Sequence, residues 1–524
     1  MPTRWLHDWL GADCTSLLVG AAVFFVVYVT LRACRSRGAI GPLPPGPRPW
    51  PLVGNFGVYL LPAWLLRRRH GRGSLSPHLL LTRLADQYGD VYSIYIGSQL
   101  IVVLNGCNVV REALLNFAEV FSDRPDVPSV TLITKRKGIV FAPYGQVWKQ
   151  QRKFSHATLR FFGLGKLSLE PCILEELTLI KREIAEFSRY EETFNPAPLI
   201  NNAVSNIICS MSFGRRFDYK DEEFKMLLNR MSRSLEISVN SQAILINICP
   251  WLYYLPFGPF WELRKAELDI TAFLKRIIAQ HRESLDPSNP RDFIDMYLLE
   301  ISQQQQQTQK ENEDSTFTED YLFYIIGDLF VAGTDTTTNT ILWCLLYMSL
   351  YPDVQDKVHA EIEAVVGKDR APSLMDKPHM PFTEATIMEV QRMAVVVPLA
   401  IPHMASVNTS FRGFGIPQGT VILANLWSVH RDPRVWDKPD EFNPSRFLDE
   451  HGQILKKDCF FPFGLGRRTC MGKQLAKMEV FLMFSNLMQA FRFHLPEGIR
   501  APPLSGRFGL TLAPHSYNLC AVSR

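Results

Sequence analysis

Two stretches of this 524-residue chain carry residue types whose spacing suits chemistry. The denser one is FPFGLGRRTCMG, Phe461 to Gly472, with one cysteine, three glycines and two adjacent arginines. Gly464 and Gly466 permit backbone turns that side chains forbid. The run after Cys470 has helical spacing, with apolar Leu475, Met478, Leu482 and Met483 on one side. Cys470 therefore falls at or just before a helix N-terminus, where the positive end of the helix dipole stabilises a thiolate. Backbone N–H groups there can also donate to the sulfur, and such bonds tune the redox potential of a bound metal. Arg468, two residues away, suits an anionic group of a cofactor. Three readings compete: a core residue, a nucleophile and a metal ligand. A nucleophile wants a histidine base with an orienting partner, and the sequence holds no signature for one.

The second stretch is YLFYIIGDLFVAGTDTTTNTILWCLLYMSL, Tyr321 to Leu350. As a helix it reaches roughly 45 Å, enough to cross a domain. Its apolar length alone would suit a membrane, but Asp328 and the polar centre count against that, because an acid at mid-bilayer is costly. A path through a protein core is expected instead. Ala332 and Gly333 let something large approach the backbone. Threonine hydroxyls can bond back to carbonyls and bend a helix. Asp335 beside Thr336 can relay a proton. An internal kink with a satisfied acid is the plainer alternative.

The rest of the chain must position these stretches. With 47% hydrophobic residues it can bury a large core. Net charge is +4 with no long basic block, so no nucleic-acid partner is expected. Ten scattered cysteines without a CxxC pair suggest neither a disulfide framework nor a zinc knuckle, and point to a reducing, cytosol-facing compartment. Residues 1–40 read as a membrane anchor. Cys14 to Leu31 is uncharged, and Arg32, Arg35 and Arg37 follow it, the reverse of a cleaved signal peptide. Six prolines within residues 41–55 predict a stiff extended hinge. Phe56 to Arg72, apolar then basic, reads either as a second membrane contact or as a packed helix with solvated arginines. Asp90 to Asn105 predicts a β-hairpin, and most of the chain beyond it has a helical pattern. The aromatic run Asn247 to Leu263 is expected to be buried or to touch lipid, and the polar run Gln303 to Asp320 to be a mobile surface loop. The fold expected is mostly α with a small β region, in one large domain over residues 56–524.

Three further features are weak alone. Glu389 and Arg392 share a helix face, as most surface ion pairs do. Trp148 and Arg152 read as a core aromatic beside a solvated arginine. His403 reads as a satisfied histidine. The pattern F-x-x-G-x-R-x-C-x-G, formed by Phe463, Gly466, Arg468, Cys470 and Gly472, is different. Ordinary composition produces it in about one chain in several thousand.

With all five in this order, the sequence resembles the cytochrome P450 family of haem-thiolate monooxygenases over nearly the whole chain after Gly41. Within it the likeness is to microsomal family 2 and its U subfamily, carried by KFSHATLRFFGLGKLSLEP, NICPWLYYLPFGPF and YLFYIIGDLFVAGTDTTTN. The resemblance implies a cytochrome P450 fold with haem b, Cys470 as axial ligand to the iron, and O2 as co-substrate. It implies that Phe463, Gly466, Arg468, Trp148, Arg152 and His403 bind the cofactor, and that Asp335 and Thr336 are catalytic. Glu389, Arg392 and Arg446 would form a structural network. Electrons would come from an NADPH-dependent cytochrome P450 reductase, with cytochrome b5 as a second donor. No G-x-G-x-x-G follows a strand here. Arg152, Lys153, Arg467, Lys473 and Lys477 are a candidate docking face for it, or a solvated face. The subfamily implies long-chain fatty acids, such as arachidonic acid, hydroxylated near the chain end. Phe330, Ala332, Val395, Leu399 and Phe508 are the expected pocket walls. The implied location is the endoplasmic reticulum membrane with the body in the cytosol, or a mitochondrial membrane. A haem-thiolate isomerase or dehydratase, and a non-catalytic haem- or lipid-binding membrane protein, are the alternatives.

Overall fold

The computed structural model describes Gly20, Val23 and residues 41–50, 54–55, 76–238, 241–311 and 316–524. The anchor expected over 1–40, apart from Gly20 and Val23, and all of Phe56 to Arg72 lie outside the described residues. Among the described residues no helix is long and apolar enough to cross a membrane, the long central helix included.

The chain runs α1 Pro77–Tyr88, β1 Val91–Ile96, β2 Gln99–Leu104, α2 Cys107–Leu115, α3 Pro128–Thr134, α4 Gln146–Phe161, α5 Glu170–Arg189, α6 Pro196–Phe213 and α7 Glu222–Ile237. It continues through α8 Ser241–Ile248, α9 Gly258–Glu283, α10 Phe293–Glu311, α11 Glu319–Leu350, α12 Pro352–Val366 and α13 Pro381–Ala394. Strands β3 His403–Met404, β4 Thr409–Phe411, β5 Phe414–Ile416 and β6 Val421–Ala424 come next, then α14 Leu426–His430 and α15 Lys473–Ala490. The chain closes with β7 Phe491–His494, β8 Arg507–Phe508, β9 Leu512–Ala513 and β10 Cys520–Ser523. Helix dominates, and the sheets are small, as the sequence pattern predicts.

The expected hairpin is present. β1 and β2 pair antiparallel from Val91↔Leu104 to Ile96↔Gln99, across Gly97, whose positive φ of 57° suits a tight turn. β6 then joins β2 in parallel and β3 closes the four-stranded order β1-β2-β6-β3. The proline-rich segment is extended but is not a free spacer where it is described. Ser93 donates from N and Oγ to the carbonyls of Pro45 and Pro44, and Gly415 N–H donates to Pro42 O. A Cβ on Gly46 would lie 1.9 Å from Ser93 O, so only glycine lets this strip lie against β1.

The core is helical. α11 carries a continuous buried run from Thr337 to Met348 and crosses α6 closely, where a Cβ on Gly333 would meet Ile208 Cδ1 at 2.6 Å. The small residue at 333 thus serves helix packing. At the base of the core, Arg392 is fully buried and bonds both carboxylate oxygens of Glu389 at 2.7 and 2.9 Å. Arg446 Nε joins the same carboxylate at 2.9 Å. The remaining N–H groups of Arg392 go to the carbonyls of His430, Pro439 and Glu441. A buried pair satisfied this fully ties α13 to the segment before the cysteine turn.

Two expectations are corrected. The loop expected over Gln303 to Asp320 is not one in its first half: residues 303–311 extend α10, because glutamine is a good helix former and polar residues can line an exposed face, while 312–315 lie outside the described residues and 316–318 are irregular. The cysteines are not all free: Cys107 at the start of α2 is bonded to Cys459, 352 residues later. Spacing along the chain does not reveal a pair so far apart. We expect Cys459→Ser to lower stability by about 2–4 kcal/mol under non-reducing conditions. The check is the thermal midpoint with and without a thiol reductant. Reductant should lower it in the wild type and leave it unchanged in the variant.

Candidate active site

The turn before α15 is built by backbone bonds. Gly464 N–H donates to Phe461 O and Cys470 N–H to Phe463 O, both at 3.0 Å, while Thr469 N–H donates to Gly466 O at 3.2 Å. Gly464 and Gly466 sit at φ 71° and 73°. A Cβ on Gly466 would fall 2.0 Å from Leu114 O, so the last turn of α2 seats this loop and only glycine fits. Cys470 then lies three residues ahead of α15, at its positive end, as the pattern predicts. Burial pushes its thiol pKa up, whereas the Gly472 N–H and the charges of Arg152 and Lys473 pull it down. Protein surrounds the residue, yet its side chain keeps accessible surface.

α11 also keeps accessible surface at mid-length. Ala332 is exposed and Thr336 half-exposed, and Val331 and Gly333 are partly exposed, whereas the helix is continuously buried from Thr337 to Met348. Thr336 Oγ1 donates to Ala332 O at 2.8 Å, and Thr340 Oγ1 to Thr336 O at 2.8 Å, the back-bonding that threonine supports. Asp335 points elsewhere. It is buried and accepts from Thr511 Oγ1 at 2.5 Å and Asn339 Nδ2 at 3.2 Å. Among the described residues no hydrogen bond joins it to Thr336, its neighbour in sequence.

Three arginines meet beside the cysteine turn. Arg468 gives Nε to Ser122 O at 2.9 Å, Nη1 to Ile139 O at 3.0 Å and Nη2 to Ala142 O at 2.7 Å, and it lies 4.2 Å over the Trp148 ring. Arg152 gives Nη2 to Thr469 O at 2.5 Å and also lies over Trp148. The third is Arg124, which sequence reasoning misses; its only signal is a basic residue inside FSDRPD. It is buried, with Nε on Val140 O and Nη1 on the carbonyls of Ile401 and Pro402. Burial, then the charge of Arg468, holds its pKa well below the usual guanidinium value, and burial and Arg152 hold Arg468 at about 10. Among the described residues none of the three makes a salt bridge. Asp123 opposes this charge at Arg124 and Arg468 but bridges to neither, and three cations against one acid leave a positive excess that suits the carboxylates of an anionic cofactor. His403 is part of it. Its Nδ1 lies 2.6 Å from Phe121 O and so donates, and burial and Arg124 push its pKa down to about 3. A neutral ring in that tautomer keeps no proton on Nε2, so contact with an anion through Nε2 needs the ring charged.

Other expected residues separate. Phe330 is fully buried among Phe213, Phe224 and Phe273, and Val395 is 1% exposed, so neither presents surface to a ligand. Their apolar character serves the core. Ala332, Leu399 and Phe508 do keep surface. Of the basic face, Lys153, Lys473 and Arg467 are exposed, the last bridged to Glu119, while Arg152 and Lys477 are drawn inward.

Asp328 holds the cluster from behind. Its Oδ2 accepts Ile139 N–H at 2.6 Å and Val140 N–H at 2.9 Å, and a Cβ on Gly138 would meet it at 2.4 Å. Ile139 O in turn receives Trp148 Nε1 and Arg468 Nη1. Burial raises the Asp328 pKa from 3.8 to about 6, against the two N–H donors. An acid raised on folding binds more protons folded than unfolded, so its contribution to stability falls as pH rises from about 4 to 6. We expect Asp328→Asn to remove that part of the pH slope. Asp328→Ala should cost on the order of 2–5 kcal/mol by orphaning two backbone donors. Thermal midpoints measured across pH 4–7 check both.

Comparison with known proteins agrees with this geometry. The sequence profile described as Cytochrome P450 matches residues 44–521. The chain is 61% identical over 519 residues to "Cytochrome P450 2U1" of Homo sapiens, covering 97% of this chain and 93% of that one. It is 60% identical over 515 residues to "Cytochrome P450 2U1" of Rattus norvegicus, covering 97% and 95%. It is 38% identical over 514 residues to "Cytochrome P450 2J2" of Homo sapiens, covering 98% and 97%. A match of this extent, on a chain that gathers a cysteine turn, an arginine cluster and an open-faced central helix, assigns the chain to the cytochrome P450 family, in family 2 and its U subfamily, as a haem b monooxygenase using O2 and NADPH-derived electrons.

Proposed function

We propose that this enzyme hydroxylates long-chain fatty acids, such as arachidonic acid, near the chain end. The observation that carries the site assignment is the cluster of Arg124, Arg152 and Arg468, three cations that make no salt bridge among the described residues, with Asp123 as a nearby opposing charge, and that adjoin Cys470 through the Arg152–Thr469 bond. Cys470 would be the axial thiolate. The arginines, with His403 once its ring is charged, would take the two carboxylates at the cofactor edge; Trp148 would back the guanidinium groups with its ring, and Phe463 and Gly466 would shape the turn beneath it. Bound there, haem b supplies O2 activation, and its thiolate ligand favours O–O cleavage. The chain's own part is to hold protons and exclude water. Thr336 carries one at Oγ1. The Asp335 carboxyl, with its pKa raised by burial to about 6, can hold or release one near neutral pH.

The fatty-acid reading rests on the likeness to the U subfamily and on Ala332, Leu399 and Phe508, apolar residues that keep surface. An NADPH-dependent reductase would dock on Lys153, Arg467 and Lys473, and cytochrome b5 would be a second donor. The location we infer is the endoplasmic reticulum membrane, with residues 1–40 as anchor, 41–55 as hinge and the body in the cytosol, and a mitochondrial membrane as the second site. Trp251, Tyr254 and Phe257, each more than half exposed, support an additional contact with lipid.

The test is incubation with reductase, NADPH and a panel of fatty acids. We expect NADPH-dependent O2 uptake with hydroxylated products, and uptake with none of the panel would reject the substrate class. Cys470→Ser should lose the red-shifted Soret band of the reduced CO complex. A variant that keeps the band would remove Cys470 from the ligand role.

A further inference from the structure

Asp335 adjoins Thr336 in sequence, but its carboxylate is held by residues from elsewhere. Oδ2 accepts from Thr511 Oγ1 at 2.5 Å and Asn339 Nδ2 at 3.2 Å, and Asn339 Nδ2 also reaches Thr511 Oγ1 at 3.1 Å. All three side chains are buried. Asn339 is one helical turn further along α11 and so shares a face with Asp335. Thr511 arrives from the turn between β8 and β9, 176 residues away.

That turn is fixed by other bonds. Gly509 N–H donates to Thr511 O at 2.9 Å, Leu510 N–H to Leu235 O at 3.3 Å and Leu512 N–H to Val396 O at 2.7 Å. Trp343 Nε1 donates to Leu512 O at 2.8 Å. The backbone around Thr511 therefore needs nothing from its side chain, and the hydroxyl is a donor preorganised toward the acid. Two charged groups face Asp335 beyond this triangle: Glu236 from the end of α7 and Arg507 on β8, bridged to each other at 2.7 Å. The first disfavours the ionised carboxyl and the second favours it.

We propose that Thr511, seconded by Asn339, is a positioning residue for Asp335, holding its carboxylate on the side of the 507–513 turn and away from Thr336. The functional weight of this rests on the reading of Asp335 as the proton-holding acid of the proposed reaction. Phe508 lies in the same turn, so a ligand that moves this segment also moves the hydroxyl that holds the acid. The acid is then set by the wall beside it rather than by its sequence neighbour.

The consequence is a shift with a definite sign. Burial raises the Asp335 pKa, and the hydrogen bonds from Thr511 and Asn339 work against that rise. A donor to the ionised form favours ionisation, so removing it moves ionisation to higher pH. The experiment follows the C=O stretch of the protonated carboxyl in the holoenzyme by infrared difference spectroscopy, assigned by its loss in Asp335→Asn and titrated with pH. Thr511→Val should move the midpoint up by about one to two pH units. Thr511→Ser should stay within about 0.3 units of wild type, because it keeps the donor. Asn339→Ala should move it upward by less than the valine variant. An unmoved midpoint in Thr511→Val, with wild-type haem content and thermal midpoint, overturns the proposal. So does a serine variant that shifts as far as valine. Should the valine variant fail to load haem, the serine and Asn339→Ala titrations decide: both unmoved rejects the proposal, and an upward shift confined to Asn339→Ala supports it. The ratio of hydroxylated product to peroxide separates the two readings. An unchanged ratio in Asp335→Asn removes the acid from proton delivery while leaving the positioning result intact.

Discussion

The backbone of Ile139 links the parts of this enzyme that have to agree. Its N–H goes to Asp328 of the central helix at 2.6 Å. Its carbonyl takes Trp148 Nε1 at 2.9 Å and Arg468 Nη1 at 3.0 Å. The backbone of one residue therefore registers α11, α4 and the cysteine turn against one another. A carbonyl has two lone pairs and a buried N–H has one need, and here all are used. Displace this segment and three elements lose their common reference at once, which helps explain why a charged residue is kept in so apolar a helix.

Around that unit the site is held by backbone more than by side chains. Arg468 spends its donors on three carbonyls of the 122–142 segment, and Arg124 spends its own on Val140, Ile401 and Pro402. Carbonyls orient a guanidinium without cancelling its charge. The cluster stays positive and rigid together, which an ion pair with Asp or Glu would not allow. The Glu389–Arg392–Arg446 network shows the opposite choice: there two arginines are paired with one shared carboxylate, and the outcome is a clamp rather than a binding face.

Much of this is legible in the chain because it is local. The hairpin, the central helix, the glycine turn and the placement of Cys470 ahead of a helix each depend on residues within a few turns of one another. Pairing at a distance is not legible in that way. Nothing near Asp335 announces Thr511, nothing near Asp328 announces Ile139, and nothing near Cys107 announces Cys459. Phe330 and Val395 suit pocket walls by their apolarity, a property that core and pocket residues share, and only packing separates them. Gln303 to Glu311 suits a loop by its polar composition, although polar composition says little about helicity when the residues are good helix formers.

The bond between Cys107 and Cys459 has a topological side. It closes a covalent ring over a separation of 352 residues that contains α2 through α14. A single backbone cut inside that ring opens it without freeing a fragment, so a nicked molecule stays one covalent species of nearly unchanged mass. Proteolytic damage to its loops would then pass unseen wherever size alone is read, and would show only once the sulfurs are reduced.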